Sequence, residues 1–145
     1  MKAARTPDYS LWQSFLLLAA RVLMGWIFVE NGWRKLFAMD PFIASLASRR
    51  VPYASVMGWL GALLEFFGGL AILLGAWTRC GAVAMIVFVI AATAISHRYW
   101  EFTEAAARRI QQGQFAKNLA IIGGFLLMLI TGPGRFSVDG WRRRS

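Results

Sequence analysis

Apolar residues are gathered into four long segments, and the shorter stretches between them hold most of the charged residues. The apolar segments cover residues 11–37, 55–77, 80–96 and 115–131. A helix of about 20 apolar residues is long enough to cross a bilayer. The pattern therefore predicts an all-α integral membrane protein, in which one domain over residues 1–145 forms a four-helix transmembrane bundle.

The connections between the segments predict which helices are neighbours and where further helices lie. Only Thr78 and Arg79 separate the second and third segments, so these two helices must be antiparallel neighbours. In the first long connection, Asp40 is a plausible N-cap and Pro41 a plausible first helical residue. In the second, residues 103–109 have high helix propensity. We expect a short interfacial helix in each long connection.

Composition and charge support a membrane location and exclude several other classes of protein. Hydrophobic residues make up 58% of the chain, compared with roughly 45–50% in soluble domains. The formal net charge is +9, but the basic residues lie beside the apolar segments, which suits anionic lipid headgroups and not nucleic acid. Because Arg21 interrupts the first segment and no A-x-A cleavage site follows, we expect a retained helix and not a cleaved signal peptide.

The chain contains few residues that could carry redox or metal chemistry. Cys80 is the only cysteine, so an intramolecular disulfide and a CxxC couple are impossible. His97 is the only histidine, which rules out haem ligation by two histidines of one chain. No metal-binding, phosphate-binding or nucleophile motif is present. We expect no metal, and the sequence shows no complete catalytic site.

Two charges interrupt the apolar segments, and both lie on stripes of small residues. Arg21 belongs to a stripe spaced 4, 3, 4, 3 that also holds Gly25, Phe28, Gly32 and Lys35. Glu65 belongs to a stripe spaced 3, 4, 3, 4, 3 that also holds Gly58, Gly61, Gly68, Ile72 and Gly75. Small residues on one stripe allow a close approach of another helix. Counted inward from the shared outer side, Arg21 and Glu65 lie at similar depth, which predicts an ion pair between helices one and two.

The predicted pair is open to three interpretations, since an intramembrane charge can be structural or functional. It could lock the bundle together, line a site for a polar ligand, or carry protons. Glu30 is expected to pair with Arg34, one turn later, or to contribute to binding at the mouth of the bundle.

Antiparallel helices would gather several polar side chains at one membrane face. These are Glu30, Lys35, His97 and Asn118. A lone histidine is often a hydrogen-bonded interfacial residue, but it could also hold a quinone carbonyl or move a proton. This convergence is the candidate ligand mouth of the sequence.

The same residues resemble the DoxX family of small bacterial membrane proteins. The matching motifs are Arg21-x3-Gly25-x6-Gly32-x2-Lys35-Leu36, Glu65-x2-Gly68-Gly69-Leu70-x4-Gly75-x2-Thr78-Arg79, His97, Lys117-Asn118-Leu119, and the run from Gly132 to Asp139. One departure is Arg50-Val51-Pro52, where the family carries Gly-x-Pro.

The resemblance implies a four-helix protein of the bacterial inner membrane with both termini in the cytoplasm. The compact Arg142–Arg144 cluster agrees with that orientation, although basic residues are nearly balanced across the two sides. The family includes subunits associated with quinol oxidases and with thiosulfate:quinone oxidoreductases.

The resulting hypothesis is an accessory subunit of a quinone-linked redox system, which binds a quinone or lipid-like ligand near the Arg21–Glu65 pair. Its expected partners are membrane lipids and a redox subunit that supplies electrons. One alternative is a non-enzymatic membrane scaffold or assembly protein. A second is a small transporter, which with four spans would require a homo-oligomer.

Overall fold

Four long helices make up most of the chain. A computed structural model describes residues 9–143. The long helices are α1 (Leu11–Phe37), α3 (Ala54–Leu74), α4 (Thr78–Ser96) and α5 (Ala105–Thr131). Two shorter helices, α2 (Met39–Ser48) and α6 (Val138–Arg142), and a 3-10 turn at Tyr99–Glu101 complete the described part.

All four long helices have the length and composition to cross a membrane. Their large apolar side chains divide into two sets. One set fills a core between the helices, formed by Phe28, Ile72, Ala82, Met85, Val89, Phe125 and Met128. The other set points outward and includes Leu23, Val87, Leu127 and Ile130. Outward apolar side chains are stable against lipid, so the structure confirms the predicted all-α transmembrane bundle.

The two long connections differ from each other more than the sequence predicts. The first does hold a short helix, α2, but it begins at Met39, so Asp40 lies in its first turn and is not the N-cap. The second holds no separate interfacial helix among the described residues. Residues 103–109 instead run into one helix of 27 residues that begins at Ala105, ten residues before the predicted fourth span. The expectation of an interfacial helix there was wrong, because nothing between Arg109 and Phe115 breaks the helix.

The start of α5 is fixed by Glu104. Its carboxylate accepts hydrogen bonds from the backbone N–H groups of Ala106 (2.9 Å) and Ala107 (2.6 Å). These bonds lower the pKa of Glu104, because they favour the charged carboxylate. A charged N-cap also interacts favourably with the positive end of the helix dipole.

The close approach of α1 and α3 rests on three glycines, which we call the glycine seam (Gly25, Gly32 and Gly69). A Cβ atom placed on Gly25 would lie 2.8 Å from the carbonyl oxygen of Gly69. One placed on Gly32 would lie 2.6 Å from the backbone nitrogen of Phe66. The two backbones therefore touch directly, as small residues permit between membrane helices.

The predicted stripe on α3 does not form this seam. Gly58 faces Ile43 of α2, at 3.0 Å from the nearest carbon, and Gly61 faces Phe88 of α4. Gly68 faces the side chain of Met85. These glycines make room for side chains of α2 and α4, whereas the neighbouring residue, Gly69, meets the backbone of α1. The helix α3 thus carries small residues on two faces. The predicted stripe identified the face toward α2 and α4 and missed the face toward α1.

The turn between α2 and α3 contains two residues with left-handed backbone angles. Arg50 adopts φ of 59°, in the left-handed region where glycine is favoured. Tyr53, at the start of α3, is also left-handed with φ of 50°.

The C-terminal segment docks onto the turn between α3 and α4. Asp139 accepts hydrogen bonds from the backbone N–H groups of Trp77 (2.9 Å) and Thr78 (2.8 Å) and from the Thr78 hydroxyl (2.9 Å). Its own N–H donates to the carbonyl of Gly75 at 3.0 Å. Asp139 therefore caps α4, which has no cap within its own sequence.

Gly25→Ala should destabilise the bundle by about 1–3 kcal/mol, because the added methyl group would overlap the backbone of α3. The matched control is Gly113→Ala on α5, where a Cβ atom would meet nothing within 4 Å. That change should stabilise the helix by about 0.5–1 kcal/mol. Unfolding of both variants in detergent, followed by circular dichroism, measures the difference, and equal stabilities would contradict the glycine seam.

Asp139 should make stability depend on pH at the acidic end. Partial burial tends to raise the pKa of Asp139, but the hydrogen bonds from Thr78 and Trp77 and the nearby Arg143 together hold that pKa below its usual value. A lowered folded-state pKa means that the contribution is complete above about pH 4 and is lost as pH falls through the folded-state pKa.

The variant Asp139→Asn should therefore melt at a lower temperature than the wild type at pH 7, with a smaller difference at pH 3. Melting temperatures across this range measure the effect. Asp40→Asn, which changes an exposed carboxylate on α2, is the control. A gap between Asp139→Asn and wild type that stays constant with pH would refute the role assigned to the carboxylate.

Candidate functional site

A cavity of about 390 Å³ opens at the end of the bundle where α1 and α4 end and α5 begins. Four helices line it, and the polar side chains that the argument uses are Lys35, Glu65, His97, Gln111, Lys117 and Asn118. Phe28 and Phe88 supply part of its apolar wall. Cavities of this size and mixed lining are typical of small-molecule sites.

An ion pair lies at the centre of this cavity wall. Lys35 Nζ donates to Glu65 Oε2, and the Glu65 side chain is only 6% exposed while that of Lys35 is 31% exposed. The ammonium also lies 5.0 Å from the centre of the Phe42 ring on α2, a cation–π contact. Lys35 thus reaches from the end of α1 to a carboxylate inside the bundle.

The predicted Arg21–Glu65 ion pair is wrong, because Glu65 pairs with Lys35. The error lies in the depth count, which assumed that the end of α1 and the start of α3 are level at the outer side. The glycine seam sets a different register, with Gly25 opposite Gly69 and Gly32 opposite Phe66. In this register Arg21 lies beside the C-terminal end of α3. The part of α1 that precedes Arg21 extends beyond that end by roughly 15 Å.

Arg21 instead holds the docked C-terminal segment. The residue is 1% exposed, and its Nη2 donates to the carbonyl oxygen of Phe136. Its Nη1 lies against Gly75, which leaves no room for a side chain there and has φ of +68°. Asp139 attracts the guanidinium at somewhat longer range. Arg21 is therefore a structural residue at the opposite end of the bundle from the cavity.

A chain of hydrogen bonds joins α4 to α5 across the cavity. Asn118 Nδ2 donates to Thr93 Oγ1 at 2.8 Å, and the Thr93 hydroxyl donates to the carbonyl of Val89 at 2.6 Å. His97 Nδ1 lies 2.8 Å from Gln111 Oε1. Because that partner is a carbonyl oxygen, Nδ1 donates, and in a neutral ring Nε2 is left as an acceptor.

A second cation faces the buried carboxylate. Lys117 attracts Glu65 electrostatically and also donates to Gln114 Oε1 at 2.5 Å. The Glu65 charge is thus compensated from two helices, α1 and α5. Two ammonium groups and one carboxylate give the cavity a positive balance, which favours ligands that carry acceptor oxygens.

Glu30 lies outside the cavity lining. It forms the expected pair with Arg34, at 3.8 Å, and both side chains are largely exposed. A further cavity of about 440 Å³ lies between α1 and α2 and shares Asn31 and Lys35 with the inner one. Lys35 therefore lies between an outer and an inner space.

The structure brings together four of the six predicted polar residues and adds others that sequence reasoning missed. Lys35, His97 and Asn118 meet as the antiparallel arrangement indicates, and Glu65 joins them. Gln111 and Gln114 were missed, although with Asn118 they form a stripe spaced 3 and 4. That stripe is visible only if the helix begins before residue 115, as α5 does.

This arrangement offers hydrogen-bond donors and acceptors to a ligand. Lys35, Lys117 and Asn118 carry N–H donors, and the Glu65 carboxylate and the His97 ring are groups of the kind that act in acid–base chemistry. Among the described residues no group of three His, Cys, Asp or Glu side chains converges to hold a metal ion.

Comparison with known proteins identifies the family of this chain. The family model described as DoxX matches residues 16–98. The chain belongs to the DoxX family. The matched stretch contains the Lys35–Glu65 pair and His97, whereas Asn118 lies beyond it.

Curated relatives extend the similarity over nearly the whole chain. The inner membrane protein YphA of Escherichia coli is 33% identical over 139 residues, which cover 96% of this chain and 99% of the relative. The inner membrane protein YqjF of the same organism is 38% identical over 123 residues, covering 85% and 88%. The membrane protein Rv3486 of Mycobacterium tuberculosis is 24% identical over 137 residues, covering 85% and 78%. No solved structure matches the chain.

Lys35 and Glu65 should be strongly coupled in stability. Glu65→Gln should lower the free energy of unfolding by about 2–4 kcal/mol, because the ammonium loses its counter-charge in a low-dielectric site. Adding Lys35→Met should recover part of this loss, with a coupling energy of about 1–3 kcal/mol in the double-mutant cycle.

The control for this cycle is the exposed pair of Glu30 and Arg34. Glu30→Gln should change the free energy of unfolding by no more than about 0.5 kcal/mol. Reversible unfolding in mixed detergent micelles gives all the values. Additive effects of Lys35→Met and Glu65→Gln would show that the two residues do not interact in the folded protein.

Proposed function

We propose that this protein is an accessory integral-membrane subunit of a quinone-linked redox system and that its cavity binds the quinone headgroup. The supporting observation is the cavity itself, in which a buried Lys35–Glu65 pair faces apolar walls between membrane-spanning helices. An intramembrane ion pair beside a cavity is a strong indication of a polar ligand.

The lining suits a quinone headgroup in both shape and chemistry. A quinone is a flat ring with two carbonyl oxygens that accept hydrogen bonds. Lys35 on α1 and Lys117 on α5 offer donors from different helices, and the Phe28 and Phe88 rings offer flat apolar surfaces. The outer space between α1 and α2 gives the isoprenoid tail a route to the lipid.

Reduction of a bound quinone takes up two electrons and two protons. In this proposal a redox partner in the same membrane supplies the electrons. Glu65 and His97 lie at the cavity and can relay protons that enter from the aqueous side, each taking up a proton before passing it on. The subunit therefore binds the quinone and supplies protons, while the partner supplies the electrons.

The proposal also assigns a location and an orientation. The relatives YphA and YqjF are named as inner membrane proteins, and we place this chain in the bacterial inner membrane. With cytoplasmic termini, as the Arg142–Arg144 cluster favours, the cavity faces the periplasmic side.

The first test is the quinone content and quinone affinity of the purified protein. We expect quinone in the organic extract of protein purified in mild detergent. We also expect saturable binding of a short-tailed benzoquinone, measured by equilibrium dialysis. Lys35→Met and Lys117→Met should each weaken binding by about tenfold, since each removes a donor to a quinone carbonyl and one hydrogen bond in a dry site contributes about 1–1.5 kcal/mol.

Glu30→Gln is the control, because it removes an exposed carboxylate outside the cavity and should leave the affinity unchanged. The proposal would be rejected if the wild type did not bind the quinone, or if the control lost binding while the cavity variants kept it. An extract with only phospholipid, together with variants that are merely less stable, would favour the scaffold function. Substrate flux into proteoliposomes that depends on Glu65 would favour a transporter.

A further inference from the structure

A second cavity lies at the other end of the bundle. It has a volume of about 270 Å³ and is formed where the turn between α3 and α4 meets α6. The residues that line it and matter here are Trp77, Arg79, Pro133, Asp139, Arg142 and Arg143. The start of α4 contributes to this cavity, whereas its end contributes to the quinone cavity, so the two are separate sites.

Three arginines surround this small space, and one carboxylate accompanies them. Both oxygens of Asp139 are already occupied by hydrogen bonds from Trp77 and Thr78. Arg79 Nε is buried and has no hydrogen-bond partner among the described residues. Guanidinium groups brought together repel one another, and an anion bound between them offsets this repulsion.

The shape of the cavity is fixed by contacts within the fold. The Arg142 guanidinium carbon lies 4.9 Å from the centre of the Trp77 ring, a cation–π contact that orients the side chain. Asp139 holds α6 to the start of α4 and is itself drawn toward Arg143. The docked C-terminal segment therefore holds the three arginines in place around the cavity.

Exposed aromatic rings place this cavity at the level of the lipid headgroups. Trp77 is 64% exposed and Trp141 is 70% exposed, both at this end of the bundle. Tryptophan is enriched at the boundary between hydrocarbon and water. An anion at this depth is most abundantly provided by membrane phospholipids, and Pro133 and the Trp77 ring offer apolar surface for the first carbons of a lipid.

We propose that this cavity binds the phosphate of an anionic phospholipid, held by Arg79, Arg142 and Arg143. The site is independent of the quinone cavity and fixes one lipid at the membrane face that carries α6. Basic pockets at a membrane surface bind anionic headgroups by this combination of charge and guanidinium hydrogen bonds.

The test uses the full chain in detergent, titrated with phosphatidylglycerol or phosphatidylcholine and observed by native mass spectrometry. Wild-type protein should retain one phosphatidylglycerol molecule in preference to phosphatidylcholine. The double variant Arg79→Gln/Arg142→Gln should bind it about tenfold more weakly. The control Arg108→Gln/Arg109→Gln removes the same charge from exposed positions on α5 and should not change binding.

Three outcomes would overturn the proposal. Equal retention by the double variant and the wild type would show that the arginines do not hold the lipid. Equal losses in the double variant and the control would show a general charge effect. Displacement of the lipid by millimolar inorganic phosphate would assign the site to soluble phosphate. If the double variant does not fold, Arg142→Gln alone, which leaves the buried Arg79 in place, gives the same comparison with a smaller expected loss.

Discussion

The contact between the backbones of α1 and α3 at the glycine seam determines where the charged residues of this protein can meet. Gly25 touches Gly69 and Gly32 touches Phe66, so the two helices can pack in only one register. That register brings the end of α1 beside the middle of α3, within reach of the long Lys35 side chain. It also brings Arg21 beside the turn that follows α3. The positions of both charges are consequences of this contact, because neither side chain could reach its partner if the helices slid by one turn.

The two buried cations show different solutions to the cost of a charge in a membrane. Lys35 is compensated by a carboxylate, and it remains partly exposed through a cavity. Arg21 is 1% exposed, and its Nη2 donates to a backbone carbonyl of the docked C-terminal segment, with Asp139 further away, while its Nε and Nη1 have no hydrogen-bond partner among the described residues. The first arrangement leaves hydrogen-bonding capacity facing an open space, and the second is enclosed by Gly75 and the docked chain. The difference explains why one charge belongs to a candidate site and the other to the framework.

Much of this fold follows from the sequence, because hydrophobic segments of membrane-spanning length permit few alternatives. The convergence of Lys35, His97 and Asn118 also follows, since antiparallel helices must bring those segment ends together. The partner of Glu65 did not follow, because the depth of a residue depends on helix register, and register was decided by Gly69, which lies outside the predicted stripe. The docking of Asp139 was equally hidden, since a carboxylate that caps a helix 61 residues away leaves no local pattern.

The space between the helices is more closed at one end of the bundle than at the other. At one end, Asp139 and Arg21 fasten the C-terminal segment across the turn between α3 and α4, which closes the space between the helices. At the other end, α2 lies against α3 and leaves a space beside Lys35 that shares Asn31 and Lys35 with the lining of the inner cavity. The Lys35 ammonium lies between these two spaces and is bound to Glu65. Binding of an acceptor oxygen to Lys35 competes with that ion pair, so occupation of the cavity and the charge of Glu65 are physically linked.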